Sequence, residues 1–272
     1  MKLVTFADGG GDHVGELLED GNIAEVAASN MINWLAGAGR AATPRTHRLE
    51  EVTLRAPVPA PPAVRDFYAY EGHVRTGFAR RGFDTIPDAW YEAPAFYFSN
   101  PASVRGSGEA VRRPEGCEQL DFELEIAAVI DGAGEIAGFT LMNDWSARDI
   151  QRREMTVGLG PAKGKDFATS LGPFLVTPEE LPFDSGRLSL EATVSVNGSV
   201  LSRCSASEMH YSWPELVAQA GRGTRLRPGD VLGSGTLTGG CLLELGGPWI
   251  EPGDEVVLSA PGLGELRTSV IE

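Results

Sequence analysis

Residues 138–155 read GFTLMNDWSARDIQRREM, and the prediction of the fold starts from this stretch. Its apolar first part is typical of a strand, and its charged second part is typical of a polar helix. Asp144 stands at the end of the predicted strand. Arg148 and Gln151 share one face of the predicted helix, because they are three residues apart. The stretch therefore places an acid and two hydrogen-bond donors close together along the chain.

A second acidic stretch, LDFELEIAAVI at residues 120–130, has the alternation of a strand. Asp121, Glu123 and Glu125 would share one face of that strand. One interpretation is a solvated face. The other is that these acids and Asp144 hold a hard cation, because Mg²⁺ and Ca²⁺ prefer oxygen ligands. The apolar continuation IAAVI is typical of a strand buried on both faces, which favours the cation. Zinc is disfavoured, since only one of the four histidines lies near these acids.

His73 ends the stretch DFYAYEGH at residues 66–73, directly after a proline-rich segment. A lone histidine is more often a structural residue than a catalyst. The polar and aromatic neighbours of His73, including Asp66, nevertheless favour a built site. Its unperturbed pKa near neutrality suits a general base.

Glycines are dense at residues 232–246, LGSGTLTGGCLLELG, with Thr236 and Glu244 as the polar members. Such glycines let a backbone approach a ligand, although a sheet corner or bulge would explain them equally well. The sequence Lys163-Gly-Lys165 lacks the spacing of a P-loop, so a phosphate site is not expected.

Composition excludes several classes of protein. The 272 residues include 38 acids and 23 bases, which gives a net charge of −15 and argues against nucleic acids and anionic membranes as partners. The sequence has no apolar run of ~18 residues that could span a bilayer, and the N-terminus turns polar too early for a secretory signal. Three scattered cysteines do not indicate a disulfide framework. We expect a cytoplasmic protein without membrane or nucleic-acid partners.

The chain is expected to divide into two parts. Residues 1–62 form a small β-containing N-terminal domain and a linker, because strand-like segments there precede four prolines between positions 57 and 62. Residues 63–272 form the second domain, in which strands alternate with Gly- and Pro-bearing turns. The predicted fold class is a β-rich α+β protein.

Four segments together resemble the fumarylacetoacetate hydrolase family, and they follow one another along the chain in the order in which that family has them. They are DFELE (121–125), NDWSARDIQ (143–151), GPAKGKDFAT (160–169) and SGT ahead of LLEL (234–245). The resemblance covers about residues 64–272, and the short N-terminal unit is similar to that of compact members. It implies a mixed β-sandwich roll as catalytic domain, a homodimer and a divalent metal, Mg²⁺ first, with Ca²⁺ or Mn²⁺ as alternatives.

The resemblance also implies roles for individual residues. Compact members often use three carboxylates for the metal, and Asp66 matches a fourth ligand that some members have. His73 matches the general base, and Glu244 matches the acid that orients it. The implied metal-site residues are Glu123, Glu125, Asp144, Asp66, Lys165 and Thr169. The implied catalytic residues beside His73 and Glu244 are Lys165, Arg148 and Gln151. The implied substrate contacts are Tyr68, Tyr97, Thr236, Arg148 and Gln151.

The activity implied by the resemblance is hydrolysis of a C–C bond in a small β-diketo acid, such as an acylpyruvate or a fumarylacetoacetate-like compound, through an enolate. Two alternatives use the same site: decarboxylation of a β-keto acid of the oxaloacetate type, and isomerisation or hydration of an unsaturated keto acid. An alternative of another class is a catalytically idle ligand-binding relative. The sequence after His73 and the short interval between Thr236 and Glu244 depart from the family pattern, so the substrate stays open.

Overall fold

A computed structural model describes residues 1–272 and contains two large sheets and six short helices. The strands of the N-terminal third are β1 (Lys2–Ala7), β2 (Asp12–Leu17), β3 (Asn22–Val26), β4 (Ala42–Arg48), β5 (Thr53–Leu54), β6 (Val64–Phe67) and β7 (Phe96–Ser99). The central strands are β8 (Val104–Arg105), β9 (Val111–Arg112), β10 (Leu120–Asp121), β11 (Leu124–Ile130), β12 (Ile136–Asp144), β13 (Ser146–Ala147) and β14 (Thr169–Val176). The C-terminal strands are β15 (Phe183–Asp184), β16 (Arg187–Leu188), β17 (Glu191–Val196), β18 (Ser199–Ser205), β19 (Val231–Gly233), β20 (Glu255–Ala260) and β21 (Gly264–Ile271). The helices are α1 (Met31–Leu35), α2 (Glu71–Arg80), α3 (Ala89–Glu92), α4 (Arg148–Met155), α5 (Trp213–Gly221) and α6 (Leu242–Leu245).

The larger sheet has twelve strands, ten of them in the order β4-β3-β2-β1-β14-β12-β11-β19-β6-β7, with β5 on β1 and β8 on β14. The smaller sheet has the order β18-β17-β20-β21-β9. Most pairs are antiparallel, but β19 with β6, β14 with β8 and β21 with β9 are parallel. The predicted β-rich α+β fold with mixed sheets is confirmed.

Strand β11 is buried on both faces, as its apolar run predicts. Ile126 and Ala128 belong to the main core cluster, which also contains Val194 of β17 and Leu258 of β20 and so lies between the two sheets. Ala127 belongs to a second cluster on the opposite face, which includes residues of the N-terminal strands and of α1. The central strands are therefore held from both sides, which gives a rigid support to the residues at their ends.

The N-terminal strands extend the large sheet. Strands β2 and β3 form a hairpin whose turn contains Asp20 and Gly21, and Gly21 has the positive φ of 80° that such a turn requires. Strand β1 then pairs with β14 through Lys2 and Val176. The predicted division between residues 62 and 63 stays a prediction.

Four strands of the large sheet bring chemically active residues to one place. Asp66 of β6 pairs with Gly233 of β19, which lies beside β11, the strand that carries Glu125. On the other side of β11, Asp144 ends β12 and pairs with Thr169 of β14. The register of the sheet therefore brings the strands that carry the predicted acids together.

None of the six helices has both the length and the apolar character needed to span a bilayer.

Candidate active site and metal centre

Four carboxylates converge at the ends of the central strands. Asp66, Glu123, Glu125 and Asp144 each offer an oxygen, and these oxygens lie within 4.8 Å of one another. All four residues are at most 4 % exposed. The interpretation of DFELE as a solvated strand face is therefore wrong, because its three acids are buried.

These carboxylates fit a hard divalent cation. Glu125 Oε2 and Asp144 Oδ1 are buried and have no hydrogen-bond partner. A buried charged oxygen without a partner is costly, and a cation would remove that cost. The donor set consists of oxygens only, which suits Mg²⁺, Ca²⁺ or Mn²⁺ and not zinc. The residues present therefore fit the metal that the resemblance implies.

Gly233 leaves the room that two of these carboxylates occupy. A Cβ atom at this position would lie 2.4 Å from Asp66 Oδ1, 2.8 Å from Met142 Cε and 3.0 Å from Glu125 Oε2. No side chain fits there without moving the carboxylates. Sequence reasoning noted the glycine-rich segment around Gly233 but did not identify this glycine as part of the site.

Gly233→Ala should weaken metal binding roughly 10–100-fold, the usual effect of disturbing groups that orient metal ligands. It should also lower the free energy of unfolding by about 1–3 kcal/mol through overpacking. Titration of Mn²⁺ into the variant and urea unfolding measure the two effects. Gly10→Ala is the control, because a Cβ there would meet only Asp8 Oδ1, in an exposed loop. Unchanged Mn²⁺ affinity in Gly233→Ala would contradict the assigned position of Asp66 and Glu125.

Two buried cations balance part of the negative charge. Lys165 Nζ donates to Glu123 and Asp144, and Arg148 Nη2 donates to Glu123 Oε1 at 2.7 Å. Burial opposes ionisation of Glu123, but Arg148 and Lys165 outweigh it and keep the pKa of this carboxyl below its usual value. The same carboxylates overcome the burial of Lys165 and raise the pKa of its ammonium. Lys165 therefore stays protonated beside the acids.

The other three carboxyls resist ionisation while no cation is bound. Burial raises the pKa of Asp66 and of Glu125 well above their ordinary values, and repulsion from neighbouring carboxylates raises them further. Burial, followed by repulsion from Glu123, also raises the pKa of Asp144, although Lys165 opposes this. Ionising these three carboxyls together is therefore costly, and a bound dication would remove that cost.

The raised pKa values of these carboxyls make the stability of the metal-free protein depend on pH. A carboxyl whose folded pKa exceeds its unfolded value near 4 stabilises the fold most below that value, and this contribution is lost as pH rises through the folded pKa. We expect Glu125→Gln to raise the melting temperature of the EDTA-treated protein, by more at pH 8 than at pH 5, because Gln cannot ionise. Calorimetric melting across this range measures the difference. A difference that shrinks as pH rises would contradict the assignment.

A second group of side chains lies beside the acids. His73 of α2 hydrogen-bonds through Nδ1 to Glu244 of α6, and the Gly239 amide donates to Glu244 Oε2 at 2.7 Å. The Tyr68 ring meets the His73 ring edge-on, with 5.3 Å between centroids. Burial raises the pKa of Tyr68 to about 12, so its hydroxyl stays protonated. When Glu244 is the acceptor of this bond, it keeps the proton of His73 on Nδ1 and leaves Nε2 free to act as a base.

The two groups are adjacent. Glu123 and Cys241 form an isolated backbone bridge, and His73 is close enough to contribute to the lowered pKa of Glu123. The arrangement can therefore hold a dication and, beside it, a histidine base oriented by a carboxylate. This is the combination required to take a proton from a bound substrate or from water.

Asp121 has a role that sequence reasoning missed. Strand β10 ends at Asp121 and β11 begins at Leu124, and Asp121 is not among the four clustered carboxylates. Asp121 accepts hydrogen bonds from Arg148 Nε at 2.8 Å and from the Leu242 amide, at the start of α6, at 2.8 Å. It thereby connects the helix that carries Arg148 to the helix that carries Glu244.

The residues predicted to contact substrate are near the site, but several bond to the site's own side chains. Tyr97 donates to Asp144 Oδ2 at 2.7 Å, and Thr236 donates to Glu125 Oε1 at 3.5 Å. Arg148 Nη1 donates to Gln151 Oε1 at 3.2 Å. The donors of Arg148 thus already have acceptors in Asp121, Glu123 and Gln151. The predicted contacts of these residues with substrate stay predictions.

Thr169 lies at the edge of the acidic cluster. Thr169 of β14 lies opposite Asp144 of the neighbouring strand β12, and its hydroxyl lies 3.2 Å from that of Ser99. The structure gives it no contact with a carboxylate oxygen, so its metal-site role also stays a prediction.

Comparison with known proteins gives matches over most of the chain. The family model described as "Fumarylacetoacetate (FAA) hydrolase C-terminal" matches residues 63–271. Fumarylacetoacetase of Oryza sativa subsp. japonica is 31% identical over 276 residues, which cover 74% of this chain and 64% of that enzyme. The chain thus spans less than two thirds of the length of this relative.

Two other similar proteins match over most of their length. Oxaloacetate tautomerase YisK of Bacillus subtilis (strain 168) is 28% identical over 94% of this chain and 85% of that protein. The structure of 5-carboxymethyl-2-hydroxymuconate delta-isomerase from Mycobacterium smegmatis has a TM-score of 0.78 and 28% identity, and the match covers 100% of this chain and 99% of that one. On the family model and on this agreement of fold, the chain belongs to the fumarylacetoacetate hydrolase family.

Proposed function

We propose that this protein is a metal-dependent enzyme of small keto acids that hydrolyses a C–C bond in a β-diketo acid, an acylpyruvate or a fumarylacetoacetate-like compound. One observation carries the proposal: four buried carboxylates, two with oxygens that lack partners, lie beside a histidine held by a glutamate. Membership of the family and the fumarylacetoacetase relatives support the reaction class.

Asp66, Glu123, Glu125 and Asp144 would hold the metal, with Mg²⁺ as our first choice and Ca²⁺ or Mn²⁺ as alternatives. When bound, a divalent metal supplies Lewis acidity toward the oxygens of the keto acid and orients them. Lys165 keeps its positive charge at this place, since Asp144 and Glu123 raise its pKa. It would therefore donate a hydrogen bond where negative charge develops on the substrate as the C–C bond breaks.

His73 would act as the general base. Its Nε2 takes a proton from a water molecule, and the oxygen of that water attacks the substrate carbonyl. Glu244 holds the ring in the required tautomer and stabilises the imidazolium that forms, as its bond to Nδ1 indicates. The proton on His73 is then available for the carbon that leaves as an enolate. The water oxygen thus ends in the carboxylic acid product, and the proton that His73 took from the water ends on the carbon of the other product.

A second candidate is tautomerisation or isomerisation of a keto acid, which needs proton transfer at carbon but no attacking water. The extent of the matches favours it: the matches cover 85% of the tautomerase and 99% of the isomerase, whereas the fumarylacetoacetase match covers 64% of that enzyme. Decarboxylation of an oxaloacetate-type acid is a third outcome of the same site.

An ultraviolet assay separates these candidates. Acylpyruvates, oxaloacetate enol and an unsaturated 2-hydroxy acid are each incubated with protein and Mg²⁺, and then with excess EDTA. Our proposal predicts loss of the acylpyruvate band with Mg²⁺, formation of pyruvate and a carboxylic acid, and no reaction with EDTA. Turnover of oxaloacetate enol alone would select tautomerisation instead. EDTA-insensitive or absent activity on every compound would favour a ligand-binding protein.

We also propose a homodimer, which rests on the family resemblance. Light scattering of the purified protein on a sizing column tests it. A mass near twice the 28.9 kDa of the chain is expected, and a monomer at every concentration would contradict it.

A further inference from the structure

We propose that His73, Cys241 and Glu244 form a second cation site, selective for a borderline or soft dication such as Zn²⁺ or Cd²⁺, and that its occupation switches the enzyme off. That the cation binds is independent of the proposed function. That binding inhibits rests on the proposed role of His73 as a base.

The three donor atoms lie within 4.8 Å of one another. Cys241 Sγ lies 3.9 Å from His73 Nδ1 and 3.6 Å from Glu244 Oε1. In a tetrahedral zinc site with the usual bond lengths, a nitrogen and a sulfur ligand lie about 3.6 Å apart. Both distances from the sulfur therefore agree with shared coordination. Only the direct bond between His73 and Glu244 has to open to admit the cation.

The chemistry of this donor set differs from that of the acidic cluster. A thiolate, an imidazole nitrogen and a carboxylate oxygen prefer zinc and cadmium, whereas four carboxylates prefer magnesium and calcium. Cys241 is buried and forms no disulfide. The protein thus places a soft site directly beside a hard one, and the two should accept different cations.

Inhibition follows from the protons. With Glu244 as the acceptor, Nδ1 of His73 carries the proton in the free protein, and Nε2 is the free base. A cation at Sγ and Nδ1 displaces the thiol proton to solvent and moves the ring proton from Nδ1 to Nε2. His73 Nε2 then only donates hydrogen bonds and cannot accept a proton from water. When Glu244 binds the cation, it also no longer orients the ring of His73.

The experiment uses the Mg²⁺-loaded protein and CdCl₂ as the spectroscopic probe. Cadmium bound to a thiolate has an ultraviolet charge-transfer band, so the wild-type protein should show one such band that saturates at one cadmium per chain. Cys241→Ser and Cys241→Ala should lack it. Cys117→Ser is the matched control and should retain it, because Cys117 is a buried free cysteine near Asp149 and is not part of the group of His73, Cys241 and Glu244. Circular dichroism confirms that each variant is folded.

Inhibition is measured with ZnCl₂ on the same proteins. The Zn²⁺ concentration for half-inhibition should rise at least roughly tenfold in Cys241→Ser, since disturbing even the surroundings of a metal ligand weakens binding about 10–100-fold. Absence of the cadmium band in wild type, or its persistence in both Cys241 variants, would overturn the site. Equal zinc inhibition of wild type and Cys241→Ser would overturn the switch. A Cys241-dependent cadmium band without zinc inhibition of the wild type would uphold the site and overturn the switch, whereas the kinetics of His73→Ala test the role of His73 separately.

Discussion

His73→Ala should lower kcat for the best keto-acid substrate by about 10²–10⁴-fold, the usual contribution of a positioned general base. The substitution removes the proposed base and leaves all four carboxylates in place. The affinity for Mg²⁺ should therefore stay close to that of the wild type. Steady-state kinetics at saturating Mg²⁺, together with metal titration of the same preparation, separate the two effects.

Two further variants sharpen this result. Glu244→Gln should lose less activity than His73→Ala, because the base is then present but poorly oriented. His210→Ala is the matched control, since His210 packs against Trp90 and Tyr91 and is not part of the site. Wild-type kcat in a folded His73→Ala protein would remove this histidine from the reaction.

Glu125→Gln should abolish measurable activation by Mg²⁺ and lower kcat by roughly 10³-fold or more. A metal that stabilises developing charge supplies several kcal/mol, and each 1.36 kcal/mol corresponds to tenfold in rate. Gln keeps the size of the side chain and the acceptor for Thr236, but it replaces one carboxylate oxygen by an amide NH₂. Activity measured over a range of Mg²⁺ concentrations tests this.

Glu208→Gln is the control for that measurement, because Glu208 is an exposed residue outside both groups of the site. Activity of Glu125→Gln that rises with Mg²⁺ to the wild-type level would show that Glu125 is not needed for the metal. Higher stability of metal-free Glu125→Gln at neutral pH would, in contrast, agree with the raised pKa of Glu125 in the buried cluster.

The sequence predicted the elements of the site well because local periodicity determines them. The alternation in LDFELEIAAVI predicts a strand, and β11 is indeed buried on both faces. The end of the apolar run before Asp144 predicts where β12 ends. Glu123 and Glu125 meet Asp144 and Asp66 because neighbouring strands fix their register, and the family resemblance indicated this grouping.

The remaining features depend on contacts between distant parts of the chain. Asp121 lies outside the four-carboxylate cluster and accepts hydrogen bonds from two amides of α6, at Leu242 and Leu243. The charge of Arg148 is taken up by Asp121 and Glu123, which spacing along the chain does not reveal. The proximity of Cys241 to His73 spans 168 residues and has no local signal.

Calorimetric titration of the EDTA-stripped protein with MgCl₂ and MnCl₂ tests most directly whether the four carboxylates form a metal site. Our account predicts saturable binding of one ion per chain in the wild type and in His73→Ala, and none in Glu125→Gln. Absence of binding of either ion to folded wild-type protein, or undiminished binding to Glu125→Gln, would contradict it.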